Sequence, residues 1–241
     1  MPLFCALSGA VLPASTPNIE ESPAFQRWRP RLRNRIVVIG VGTTGRAAVE
    51  VMLAQGSRRE DIVVVDADAA ALASAACHGV ITRHGSATDR HTLSQAGVQR
   101  AAAVIVTVGS DDTAAAAVRT LRDIAANVKV FVAVHDREHA QLLRQFGSQT
   151  VVIGDETTDR LLGISATAPE IVDLIEDLLK PDSGYVIAER TVESHEVGLA
   201  PQHLTDTVIG VVRNGRLTKP HMPAVRSLIA GDCVLVVRLR R

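Results

Sequence analysis

The sequence is poor in aromatic residues. Phe, Trp and Tyr together make up 2% of 241 residues, so a core must be built from aliphatic side chains. Hydrophobic residues still reach 46%, which leaves ample Ala, Val, Leu and Ile for an α/β layered fold. An excess of one charge is also lacking. The 26 basic residues balance the 26 acidic ones, so nothing global points to nucleic acid. Cysteine is scarce. Cys5, Cys77 and Cys233 lie far apart with no C-x-x-C pair, which excludes a disulfide framework and a zinc ribbon and fits a reducing cytoplasm. Long apolar runs are missing too. The stretch 3–12 is apolar, but a bilayer span needs about 20 residues, and no positive charge precedes it, as a secretory signal requires.

What is there centres on residues 35–68. Ile36, Val37, Val38 and Ile39 read as a short strand buried on both faces. Gly40, Gly42 and Gly45 follow as G-x-G-x-x-G, and a helical pattern opens at Thr43. A second β-branched run, 62–65, ends in Asp66, twenty-one residues after Gly45. Each part has a mechanical reason. Gly40 permits the strand-to-helix turn, Gly42 lets a pyrophosphate approach the backbone, and Gly45 lets the helix pack on the strand. The helix N-terminus offers free N–H groups to phosphate, and Asp66 is placed to accept ribose hydroxyls. The candidate cofactor-binding residues are Gly40, Val41, Gly42, Thr43, Thr44, Gly45 and Arg46, with Asp66 and Ala67 after the second strand. The competing reading is a tight turn of a doubly wound sheet that binds nothing.

Residues 1–34 form a Pro- and Arg-rich N-terminal segment. Arg27, Arg29, Arg31, Arg33 and Arg35 alternate there, as in a solvated linker or a juxtamembrane basic segment drawn to anionic lipid. Apolar runs at 36–39, 62–65, 80–82, 104–108, 128–134 and 151–153 then predict six strands, with helices at 43–55, 69–76, 89–96, 113–125 and 137–145. That alternation means a parallel, doubly wound Rossmann-type sheet over 35–154. A helical connector over 155–182 follows. In its 169–179 helix Ile171, Leu174, Ile175, Leu178 and Leu179 share one apolar face, too large a patch for a monomer unless it covers the domain's own core. Pro181, Asp182, Ser183 and Gly184 break the chain. Residues 183–241 read as a small β-rich α+β unit, with an Asn214-Gly215 hairpin turn and a last strand at 233–239.

These residues carry a family resemblance. Val-Val-Ile-Gly-Val-Gly-Thr-Thr-Gly-Arg, Val-Val-Val-Asp-Ala-Asp, His-Gly-Ser-Ala-Thr-Asp, Gly-Ser-Asp-Asp-Thr and Leu-Leu-Arg-Gln-Phe-Gly-Ser-Gln-Thr-Val-Val occur in that order. The tail adds Val-Ile-Gly-Val-Val-Arg-Asn-Gly-Arg-Leu and Leu-Ile-Ala-Gly-Asp-Cys-Val-Leu-Val-Val. From Arg35 to Arg241 the chain resembles the RCK proteins, regulators of potassium conductance, also called KTN or TrkA-type, and most of all the RCK region of bacterial two-helix potassium channels. The resemblance implies a cytoplasmic regulatory module at the inner face of the plasma membrane and not an enzyme. It implies a homodimer, in some relatives an octameric ring, that binds NAD(H), ATP or ADP and gates a potassium channel pore or transporter subunit. It also brings Ser86 and Ala87 into the candidate site. The family's Gly-Asp-Ala/Pro-Thr here reads Gly85-Ser86-Ala87-Thr88, without the acid, and the calcium-site acids of some relatives are absent from Val132-Ala133-Val134-His135. The pore is expected on another chain, unless this chain is a fragment or a standalone regulator.

His135 and His139 have the four-residue spacing of helical zinc ligands. Asp136 reads as an N-cap between them, however, so they do not share a helical face, and no metal is expected. Asp111 and Asp112 read as a capped helix start. Two rival functions share the fingerprint: an NAD-dependent oxidoreductase, which needs a larger substrate domain than the tail provides, and a structural assembly module without a ligand.

Overall fold

The structure, a computed structural model, describes residues 35–180 and 184–239. Residues 1–34, with Arg27, Arg29, Arg31 and Arg33, and the break at Pro181 to Ser183 lie outside the described residues, whereas Arg35 is buried. All six expected strands form: β1 Ile36–Ile39, β2 Ile62–Asp66, β3 Ile81–His84, β4 Ala103–Val106, β5 Lys129–Val134 and β6 Thr150–Ile153. They pair in parallel in the order β3-β2-β1-β4-β5-β6. The order reverses between β1 and β4, and that reversal opens the crevice where ligands of such sheets lie.

The central strands β1, β2 and β4 are almost wholly apolar because both faces are covered, whereas the edge strand β3 reads Ile-Thr-Arg-His. Val37, Ile39, Val63 and Val65 point into one core with Leu93, Ala117, Val118, Leu121 and Leu143. Their neighbours Val38, Ile62 and Val64 point into the opposite core with Val49, Leu72 and Ala75. The period of two in a strand sends alternate residues to opposite layers. Helices α1 Thr43–Ala54 and α2 Ala69–Ala76 supply the second layer. Helices α3 Arg90–Gln95, α4 Asp111–Ile124 and α5 Arg137–Gln145 supply the first. Among the described residues no aromatic side chain is buried in either core, as the composition foretold.

Several boundaries differ from the sequence reading. Strand β4 ends at Val106; Thr107 still donates its N–H to Ile39 O, and its hydroxyl turns onto Gly40 O. Helix α4 starts at Asp111, and its cap is Ser110, whose hydroxyl accepts from Thr113 N–H. Arg122, which no motif marked, donates to the carbonyls of Ala126, Val128, Phe146 and Gly147. One guanidinium thus ties the end of α4 to the end of α5, where Gly147 follows the helix with φ +79°.

The connector holds two helices, α6 Gly154–Ser165 and α7 Pro169–Leu179, and neither contains a buried residue. Beyond it lie β7 Tyr185–Thr191, β8 Thr207–Arg213, β9 Arg216–Thr218 and β10 Cys233–Leu239, an antiparallel sheet in the order β7-β10-β8-β9. Asn214 and Gly215 turn the β8–β9 hairpin with φ +52° and +73°, the signs a type I′ turn requires. The described part of this unit carries 3₁₀ turns at Pro201–His203 and Pro223–Val225 where an α+β unit would carry helices.

Two ionic clamps secure this small sheet. Arg190 grips Glu196 through two bonds of 2.7 and 2.6 Å and reaches Asp206 at 2.8 Å. Arg213 grips Asp232 at 2.9 and 2.7 Å and also holds the carbonyls of Ala224 and Ser227. The Arg190 guanidinium holds the buried Glu196 carboxyl down at about 2. Because that folded value lies below the unfolded one, the stabilisation is complete above about pH 4.5 and is lost as pH falls through about 2. Glu196→Gln should therefore cost about 2 to 3 kcal/mol at neutral pH. In urea unfolding, the gap to wild type should shrink as the pH is lowered from 5 to 2.

Candidate functional site

The glycine-rich loop leaves β1 at the switch point and enters α1. Gly40 has φ +89°, and a Cβ there would sit 2.7 Å from the Thr107 carbonyl oxygen. Thr107 donates its hydroxyl to Gly40 O at 2.6 Å, and its N–H donates to Ile39 O at 2.8 Å. A Cβ on Gly45 would lie 2.1 Å from Gly40 O. The first and third glycines are therefore required by the protein's own packing. Gly42 is not: a Cβ there would meet no protein atom within 4 Å. The protein's own packing therefore does not require a glycine at position 42.

Helix α1 starts without a side-chain cap: its N-cap is Gly42, and no acid stands in its first turn. The helices α2 to α5 carry side-chain caps from Asp68, Asp89, Ser110 and Asp136. Thr43, Thr44 and Arg46 are exposed on the first turn of α1, whereas Val41 is buried. The positive end of the helix dipole and the uncapped N–H groups thus face the crevice.

Asp66 ends β2 beside this loop. Its Oδ2 accepts the Val41 N–H at 2.6 Å and its Oδ1 accepts the Asp68 N–H at 2.9 Å. A carboxylate has about four acceptor positions, so each oxygen keeps room for a ribose hydroxyl while the protein fixes its orientation. Ala67 follows at the same edge. Gly85 N–H donates to Asp66 O at 2.9 Å, which draws Ser86 and Ala87 alongside. The Ser86 and Thr88 hydroxyls lie 3.0 Å apart, and Ala87 packs against the core. All eleven candidate residues therefore fall on one rim, at the carboxyl ends of β1, β2 and β3. Thr107 and His84 belong to that rim and were missed. Neither has a sequence signal beyond its place at a strand end.

Across the switch point the rim has another character. Asp111 accepts the N–H groups of His135 and Asp136, at 3.0 and 2.9 Å, and lies 3.0 Å from His135 Nδ1. His139 sits 3.3 Å from both Asp112 and Asp136. The hydrogen bond that His135 donates to Asp111 raises its pKa above the ordinary value, and the one that His139 donates to Asp112 does the same there. These side chains clip the β5 end to α4. Among the described residues no group of three or more His, Cys, Asp or Glu side chains has the arrangement of a metal site. A separate cleft of about 1620 Å³ opens between the C-terminal end of α1, the end of α7 and the second sheet, away from the glycine loop.

The order of strands, the glycine loop and the acid at the end of β2 define a Rossmann-type domain. Residues 36–154 match the TrkA-N domain family, in keeping with the resemblance to the RCK proteins. No curated protein sequence matches it. Among solved structures it is similar to the GsuK channel bound to NAD, at 21% identity and TM-score 0.50, over 85% of this chain and 36% of that one. It is similar to GsuK bound to ADP at 28% identity and TM-score 0.50, over 56% of this chain and 35% of that one. The human SLO3 gating ring matches at 12% identity and TM-score 0.61, over 85% of this chain and 44% of that one. The chain thus spans about a third of the length of the GsuK channel chain.

The three glycines should separate by experiment. Gly45→Ala should cost about 3 kcal/mol, because backbone must move. Gly42→Ala should change stability by less than about 1 kcal/mol, the scale of an N-cap effect. The same Gly42→Ala variant should weaken adenine-nucleotide binding at least tenfold. Thermal unfolding and calorimetry read the two effects.

Proposed function

We propose that this chain is a regulatory unit of a potassium channel or transporter. It binds an adenine nucleotide, NAD(H) or ADP/ATP, and passes the bound state to a gate without catalysing a reaction. The observation that carries the reading is the bare Gly42 at the uncapped start of α1, beside an Asp66 already oriented by the loop. Phosphate lies on the α1 N-terminus, with Arg46 within reach, and ribose lies on Asp66. A carboxylate there repels a 2′-phosphate, so NAD should bind in preference to NADP. The NAD and ADP named for the GsuK structures support the ligand class, and the SLO3 gating ring supports the setting. The regulatory reading is favoured over an oxidoreductase because residues 183–241 are short for a substrate domain.

In this reading residues 35–154 bind the nucleotide, 155–182 connect and dimerise, and 183–241 form the C-terminal unit. Among the described residues no helix is long and apolar enough to cross a membrane. The pore belongs to another polypeptide or to a further part of this one, and the module works on the cytoplasmic side. Helices α6 and α7 supply the dimer contact. Leu162 is 70% exposed, Leu174 53% and Leu179 64%, so the apolar face of the connector does not cover its own domain's core. A second copy, or a ring of copies, covers it instead. A ligand that favours one packing of that contact shifts the assembly by its differential affinity.

The test is potassium flux through the candidate pore reconstituted with this chain, with nucleotide varied. Flux should respond to NAD or ADP with wild type and lose that response with Asp66→Ala. Flux indifferent to the chain, or hydride transfer at enzymatic rates, overturns the reading. Separately, light scattering should show a dimer for wild type and a folded monomer for Leu174→Asp.

A further inference from the structure

The rim residue that the functional reading leaves unused is His84, and it stands where the next part of a nucleotide falls. Adjacent strands lie about 4.8 Å apart. The phosphate site is at the tip of β1 and the ribose acceptor is at the tip of β2. A nucleotide laid in that direction brings its base to the tip of β3, where His84 is the last residue. The register pairs Asp66 directly with His84. Gly85, the next residue, is held by its 2.9 Å bond to Asp66 O, and a Cβ there would lie 2.4 Å from the Thr92 hydroxyl. The position of His84 relative to the ribose acceptor is therefore set by backbone.

The ring is also oriented. His84 Nε2 lies 3.0 Å from the Ala67 carbonyl oxygen. A carbonyl only accepts, so Nε2 carries the hydrogen and Nδ1 holds a lone pair. The neighbouring hydroxyls of Ser86 and Thr88 bond each other, and Ser86 Oγ also accepts Thr88 N–H, but a hydroxyl both donates and accepts and so does not tell an amino group from a carbonyl. The side-chain atom at the β3 tip that only accepts is Nδ1 of the exposed His84 imidazole.

Resting on the nucleotide reading above, we propose that His84 reads the base: its Nδ1 accepts a hydrogen bond from the exocyclic amino group of adenine. A base with a carbonyl at that position, as in hypoxanthine, sets two acceptors against each other and is disfavoured.

Calorimetry of the full chain at pH 8 with ADP and with inosine diphosphate tests this. Wild type should bind ADP about tenfold more tightly, the scale of one hydrogen bond. His84→Phe keeps a ring without the lone pair. Its preference should fall to about one, with affinity for inosine diphosphate changed less than about twofold. An unchanged ratio in His84→Phe, or equal binding of the two ligands by wild type, overturns the proposal and leaves nucleotide binding standing. Binding of neither ligand to wild type brings down both.

Discussion

The contact between Gly40 and Thr107 is the constraint on which the crevice depends. Two chain segments sixty-seven residues apart in sequence meet there, backbone against backbone, with the Thr107 hydroxyl bonded to Gly40 O at 2.6 Å. Gly45 then closes on the same carbonyl. No side chain fits at either glycine, so the strand-to-helix turn has one conformation. That rigidity leaves Gly42 facing outward and brings the Val41 N–H onto Asp66. The loop is thus organised before any ligand arrives, which lowers the ordering cost that binding would otherwise carry.

The two sides of the switch point are electrostatic opposites. On one side α1 begins without acid and without a side-chain cap. On the other α4 begins with Ser110 as cap and Asp111 and Asp112 in its first turn, and those acids hold imidazoles instead of an anion. The rim is therefore less acidic at the start of α1 than at the start of α4. The C-terminal sheet solves a different problem. Its core is six buried aliphatic residues, and two arginine–carboxylate clamps fix the loops around it.

Much of this was legible in the residues. The six strands were readable because alternate valines and isoleucines must fill two layers, which produces unbroken apolar runs. The glycine loop and Asp66 were readable because steric limits and the βαβ geometry tie them to fixed spacings. Thr107 and His84 were not, because their roles arise from strands brought side by side by the fold and not from local pattern. Arg122 was invisible for the same reason: its four carbonyl partners belong to two chain ends and a turn. The start of α4 was misplaced by two residues because Ser110, Asp111 and Asp112 can all serve as caps, and only the tertiary bond from Asp111 to the β5 end decides among them.

Helix α1 joins two places that are otherwise far apart. Its first turn forms the glycine-loop end, and its last residues, with Gln55, wall the cleft that faces α7 and the second sheet. Twelve residues of α-helix make a rod about 18 Å long. Such a rod bends little over that distance. A displacement imposed on its first turn therefore reappears at its far end with little loss. The wall of the cleft moves as the floor of the crevice moves, and the two ends of α1 share one mechanical degree of freedom.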